Sequence, residues 1–197
     1  MRPPERTRIR VSPGAPALLA VFVWLSSPEV LGAVLLAALC HELGHYAALR
    51  RRGGWVRAVR ISALGAEMQV AGRMSYGGPA VNLLLAAALG LLGRWWEPLY
   101  LLAGAQAVLG CFNLLPILPL DGGRMLWLAL CWGTDPFLAD RVTQAVSLAA
   151  AGLLTAAGAA LARRSPFLLW TAAALLVCAA APCIKRRRSV YASHKGR

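Results

Sequence analysis

Acidic residues are scarce in this chain: eight Asp and Glu stand against 21 Lys and Arg, and charged residues of both signs make up only 15% of the sequence. A soluble domain usually carries about 25%. Hydrophobic residues reach 58% of the 197 and gather in blocks approaching the roughly 20 residues that a helix needs to cross a bilayer. The shortfall in charge therefore argues against a soluble domain and for one polytopic membrane domain. A cysteine framework is missing as well. Cys40, Cys111, Cys131, Cys178 and Cys183 contain no C-x-x-C pair, and an odd number in apolar surroundings does not make a disulfide scaffold. They read as small buried residues. No internal repeat is detectable.

The formal charge of +13 raises the question of a nucleic-acid partner, but the basic residues sit between apolar blocks and at the ends, where membrane-flanking anchors belong. No nucleic acid is expected. Six apolar segments stand out, at about 14–27, 30–49, 77–93, 98–118, 142–162 and 167–184. With the N-terminus inside, the outer loops carry only Arg94, Arg163 and Arg164, while the other basic residues fall on inner segments. This asymmetry follows the positive-inside rule. It supports six transmembrane helices with cytoplasmic termini. Arg2, Arg6, Arg8 and Arg10 ahead of an apolar run imitate a signal peptide. Ser26 and Ser27 are followed by Pro28 and Glu29 rather than by a clear cleavage pattern, so the segment reads as a short first span.

The expected fold class is thus an all-α polytopic membrane protein with a small cytoplasmic β-hairpin between the second and third helices. The hairpin is expected within 55–72, where Val56, Val59 and Ile61 supply β-branched residues and Gly65 supplies a turn; an irregular loop is the alternative. Residues 124–132 are too short to span and carry Trp127 and Trp132, aromatic rings suited to headgroup depth. One domain is expected over 1–184, with its core at 30–124, followed by a short basic cytoplasmic tail at 185–197.

The chemistry concentrates in Cys40-His41-Glu42-Leu43-Gly44-His45, an H-E-x-x-H motif inside an apolar segment. At 3.6 residues per turn, positions i and i+4 project from one face, so two imidazoles can share one zinc with Glu42 beside them. Three ionisable groups within five membrane positions are costly and need a common reason. A metal supplies one.

A catalytic zinc normally takes three protein ligands and a water. Of the remaining acids, Glu5, Glu29, Glu97, Asp135 and Asp140 lie in polar or outer contexts, and Glu67 lies in the expected hairpin. Asp121 stands out. It ends Asn113-Leu114-Leu115-Pro116-Ile117-Leu118-Pro119-Leu120-Asp121-Gly122-Gly123-Arg124, in which Pro116 and Pro119 cannot continue a regular helix and Gly122 and Gly123 free the backbone for a turn. On these residues alone, a proline-rich helix end with a capping Asp remains an equal reading.

The H-E-L-G-H run in the second segment, followed by N-x-x-P-x-x-P-L-D-G-G-R after the fourth, resembles the site-2 protease family of intramembrane zinc metalloproteases. Gly78-Pro79-Ala80-Val81-Asn82 is similar to that family's G-P-x-x-N element. The resemblance covers about residues 30–124. It implies that His41, His45 and Asp121 hold one zinc per chain, that Glu42 is the general base, and that Asn82 and Asn113 lie near the scissile peptide or its oxyanion. It also implies that an edge strand within 56–70 pairs with an unwound, membrane-tethered protein substrate.

These 197 residues have no room for the CBS pair or PDZ domain of many relatives, so regulation by such modules is not expected. The compact plan is closest to the sporulation branch that processes a membrane-tethered pro-sigma factor. A regulatory membrane partner is compatible with this plan, and the oligomeric state stays open. Two other function classes compete: a zinc or divalent-cation transporter, which would line a midplane path, often in two repeat halves, and an inactive membrane protein that only binds substrates. A single cluster without a repeat disfavours the first. The complete set of His41, Glu42, His45 and Asp121 disfavours the second.

Overall fold

The computed structural model describes residues 8–11, 20, 23–24, 26–62, 65–71 and 76–161. Most of the expected first segment, the sixth segment, the basic tail, Cys178 and Cys183 lie outside the described residues. In chain order the elements are β1 (Arg8–Val11), α1 (Pro28–Arg51), β2 (Trp55–Ser62), β3 (Gly65–Ala71), α2 (Gly77–Leu92), α3 (Leu99–Asn113), α4 (Asp121–Gly133) and α5 (Pro136–Leu161). The chain is predominantly helical and divides into two compact units, Met1–Phe112 and Asn113–Arg197.

In the first unit, α1 is bounded by local signals at both ends. Ser27 caps it by accepting a hydrogen bond from the Val30 amide at 3.4 Å, and Pro28, which has no N–H to satisfy, opens the first turn. At the other end Gly53 takes φ +71°, and the amides of Gly53 and Gly54 donate to the carbonyls of Arg50 and Leu49, both at 3.0 Å. That paired closure needs a left-handed residue, which glycine supplies without a Cβ penalty. The helix packs along α2.

Strand β2 pairs antiparallel with β3, with Val59 opposite Met68 and Arg60 opposite Glu67. Its other edge pairs parallel with β1, Arg8 facing Ala58, so the sheet order is β1-β2-β3 and β2 is central. The sequence reading had no strand at Arg8–Val11. Its alternation lasts only four residues and was absorbed into the basic flank, because pairing to a partner some fifty residues away leaves no local mark.

Elements around and within the second unit differ from their expected boundaries in three places. The segment expected over 98–118 stops as a helix at Asn113, the last residue of α3, because Pro116 and Pro119 each remove a helical donor and clash with the preceding turn. The segment at 124–132, too short to span, belongs to a helix that begins three residues earlier, at Asp121. Helix α5 begins at Pro136 rather than 142: the Phe137 amide donates to the Asp135 carboxylate at 2.9 Å, a capping contact that hydropathy does not register. Helices α4 and α5 pack together, around a core of Ile117 and Ala151 with Leu115, Leu120, Leu148 and Leu154.

Two helices are long and apolar enough to cross a membrane, Pro28–Arg51 and Pro136–Ala160, and α2 and α3 are shorter apolar helices. Only 22% of each long window is buried, and Leu35, Leu36, Leu39, Leu43, Leu84, Val108 and Leu153 are exposed. A core helix of a soluble protein would bury such a surface. Lipid is the solvent that suits it.

Candidate metal centre

On α1 the buried residues Ala33, Ala37, His41 and Gly44 recur at helical spacing and form the face turned inward. His41 is buried, and Glu42 and His45 are half-buried. The rings of His41 and His45 meet edge to face, with centroids 4.8 Å apart and planes at 81°. Their Nε2 atoms are 3.2 Å apart. Two imidazoles sharing a tetrahedral zinc with bonds of about 2.0–2.1 Å would hold their nitrogens about 3.3 Å apart. The pair in the first unit therefore fits a common metal in both donor type and spacing.

The helix that faces the histidines is shaped to let them in. A Cβ on Gly78 would strike Nε2 and Cδ2 of His45 and lie 2.8 Å from Cε1 of His41. A Cβ on Gly44 or Gly77 would run into the other's backbone, so α1 and α2 touch main chain to main chain. Sequence reading singled out Gly78 only through a motif. Its physical role is to leave the space that the two rings fill, and the Gly44–Gly77 contact brings the helices close enough for that space to matter.

Asn82 lies one turn beyond Gly78 and is fully buried at 0% exposure. Among the described residues neither its Oδ1 nor its Nδ2 has a hydrogen-bond partner. An unpaired buried amide costs about 1–3 kcal/mol. Gly110 of α3 approaches it, a Cβ there lying 3.2 Å from the Asn82 Cβ. Gln106, one turn before Gly110, is also buried, and its Oε1 is likewise unpartnered among the described residues. The sequence reading missed Gln106, although a glutamine in the middle of an apolar helix is itself a signal.

In the second unit Asp121 is half-buried and is the first residue of α4; Asn113, also half-buried, ends α3. Residues 114–120 link them as an irregular segment with a cis Leu118–Pro119 peptide. The turn freedom expected of Gly122 and Gly123 is not what they supply. Both lie within α4, and neither has positive φ. A Cβ on Gly122 would collide with the carbonyl groups of Leu114 and Leu115, and one on Gly123 would lie 2.6 Å from the Ile117 carbonyl carbon. The glycines are there for close approach: the first turn of α4 lies directly on the backbone of the irregular segment. Ser147 of α5, fully buried, holds the middle of that segment by accepting from the Leu118 amide at 3.1 Å.

Known proteins resemble this chain in sequence and in fold. The profile of Peptidase family M50 matches residues 92–157. The chain is 36% identical over 163 residues to the zinc metalloprotease Rip3 of Mycobacterium tuberculosis, covering 70% of this chain and 39% of that protein. It is 26% identical over 107 residues to a zinc metalloprotease of Methanocaldococcus jannaschii, covering 47% of this chain and 32% of that protein. The chain thus spans less than half the length of either relative. The structure of the site-2 protease from Methanocaldococcus jannaschii superposes with a TM-score of 0.68 at 19% identity, covering 91% of this chain and 92% of that one. The matched profile, the similarity to Rip3 and the shared fold converge: residues 92–157 match peptidase family M50, and the chain has the fold of a site-2 protease.

Proposed function

We propose that this chain is an intramembrane zinc metalloprotease that hydrolyses a peptide bond in or near the transmembrane segment of a membrane-tethered protein. The observation that carries this reading is the 3.2 Å separation of the His41 and His45 Nε2 atoms on a helix whose outward surface is apolar. His41, His45 and Asp121 would be the ligands, offering two imidazole nitrogens and one carboxylate oxygen, a donor set that suits zinc.

When bound, zinc supplies a Lewis acid that lowers the pKa of water toward about 7. The remaining work falls to the chain. Glu42, between the two histidines, takes a proton from the attacking water and returns it to the leaving amine. Asn82 donates from Nδ2 to the carbonyl oxygen as negative charge develops there, and Asn113 is proposed as a second polar contact to the same peptide. A substrate helix must first unwind, since its internal hydrogen bonds occupy the scissile carbonyl. The β2–β3 pair, as a cytoplasmic hairpin, would hold the unwound strand through backbone hydrogen bonds at its edge. The full plan we propose is six spans, cytoplasmic termini and a site near the cytoplasmic face, which keeps the water path short.

The test is to purify the full chain in detergent, measure bound zinc, and compare wild type with Glu42→Gln on tethered substrates, among them a pro-sigma and an anti-sigma factor. About one zinc per chain in both, with cleavage only by wild type, is the expected result. Equal cleavage by both would remove Glu42 from the mechanism, and absence of zinc would remove the protease reading.

A further inference from the structure

We propose that Ser147 is a positioning residue for Asp121: its hydroxyl pins the irregular segment from which the carboxylate is presented. This rests on the reading of Asp121 as a zinc ligand. Ser147 lies on α5, far along the chain from that segment, and is fully buried. Its Oγ accepts from the Leu118 amide at 3.1 Å, and its single proton faces the carbonyls of Thr143 at 2.8 Å and Pro116 at 3.3 Å. The backbone on both sides of Pro116–Leu118 is thereby tied to one side chain.

Leu118 is three residues before Asp121. The intervening turn is closed by the Leu120 amide donating to the Ile117 carbonyl at 2.8 Å. Immediately after Asp121, Gly122 and Gly123 press on the backbone of residues 114–118. Asp121 therefore stands between two fixed points, and the hydroxyl supplies one of them. Without it the part-buried Leu118 amide loses the partner that holds it in place, and the segment is free to shift to find another. Groups that orient metal ligands in this way typically change metal affinity by about 10- to 100-fold when removed. Thr143, one turn earlier on the same helix, is equally buried, and its Oγ1 has no hydrogen-bond partner among the described residues, so it serves as a matched control.

The experiment measures zinc affinity of the full chain in detergent by chelator competition, with helicity and melting temperature recorded for each variant. Ser147→Ala is expected to bind zinc about 10- to 100-fold more weakly. Ser147→Thr, which keeps the hydroxyl, should recover most of that loss, and Thr143→Val should stay within about twofold of wild type. In an Asp121→Asn background, Ser147→Ala should cost little more, because the ligand through which it acts is already gone. Wild-type affinity in Ser147→Ala, failure of Ser147→Thr to rescue, or an undiminished loss in the Asp121→Asn background would overturn the positioning role while leaving Asp121 a ligand. Undiminished zinc affinity in Asp121→Asn alone would instead remove the ligand reading on which the role depends.

Discussion

The histidine pair and the aspartate are held by different devices. His41 and His45 are placed by the helical repeat itself, four residues apart on α1, and their surroundings need only leave room for two rings. The contact of Gly44 with Gly77 and the missing side chain at Gly78 provide that room. Asp121 has no such periodic support. It follows an irregular segment whose shape depends on contacts distant in sequence, from Ser147 to Leu118 and Pro116, and on glycines that let main chain lie on main chain. A donor on a regular helix is fixed by local geometry and spoiled by added bulk. A donor after an irregular segment is spoiled by removing any of the contacts that tie the segment down.

This contrast is most sharply tested at Gly78. Gly78→Ala should displace both rings, costing about 1–3 kcal/mol in stability from overpacking and abolishing zinc retention, as read by metal content and thermal melting. Retained zinc would mean that α2 does not shape the site. Asn82→Leu should act oppositely on function and stability. Cleavage should fall about 10²- to 10³-fold, as for loss of one oxyanion donor, with zinc unchanged and the melting temperature raised, since the amide is buried and unpartnered among the described residues. A lowered melting temperature would mean that Asn82 has a structural partner after all.

On the aspartate's side, Gly122→Ala should cost about 1–3 kcal/mol and weaken zinc, because the methyl would enter the backbone of Leu114 and Leu115. The smallest effect is expected at Gly90, where an added Cβ meets nothing within 4 Å. Gly90→Ala should leave zinc and cleavage alone and add up to about 1 kcal/mol of helix stability. Equal effects at Gly122 and Gly90, measured by denaturation in detergent, would show that close approach is not what the motif glycines provide.

What could be read from the sequence follows the same division. H-E-x-x-H is legible because helical spacing converts directly into shared direction, and the 3.2 Å nitrogen separation is what that spacing implies. Asp121 could be selected because so few acids exist in the chain, yet the reason given for its glycines was turn freedom, and the structure shows close packing instead. Ser147 and Gln106 went unread: a serine in an alanine-rich helix looks ordinary until the segment folded against it is seen, and a lone glutamine carries no motif. Strand β1 was missed for a related reason, since its pairing with residues 58–61 is a long-range event. The two long apolar helices were legible from composition, and their early starts were set by Ser27 and Asp135 caps that hydropathy overlooks.

The most direct test of the ligand set is X-ray absorption at the zinc edge on wild type and Asp121→Cys, which reports the atoms around the metal without requiring activity. Wild type should show nitrogen and oxygen neighbours at about 2.0–2.2 Å, and the variant should gain one sulfur at about 2.3 Å. A variant that binds zinc with the wild-type shell and no sulfur would contradict Asp121 as the third ligand.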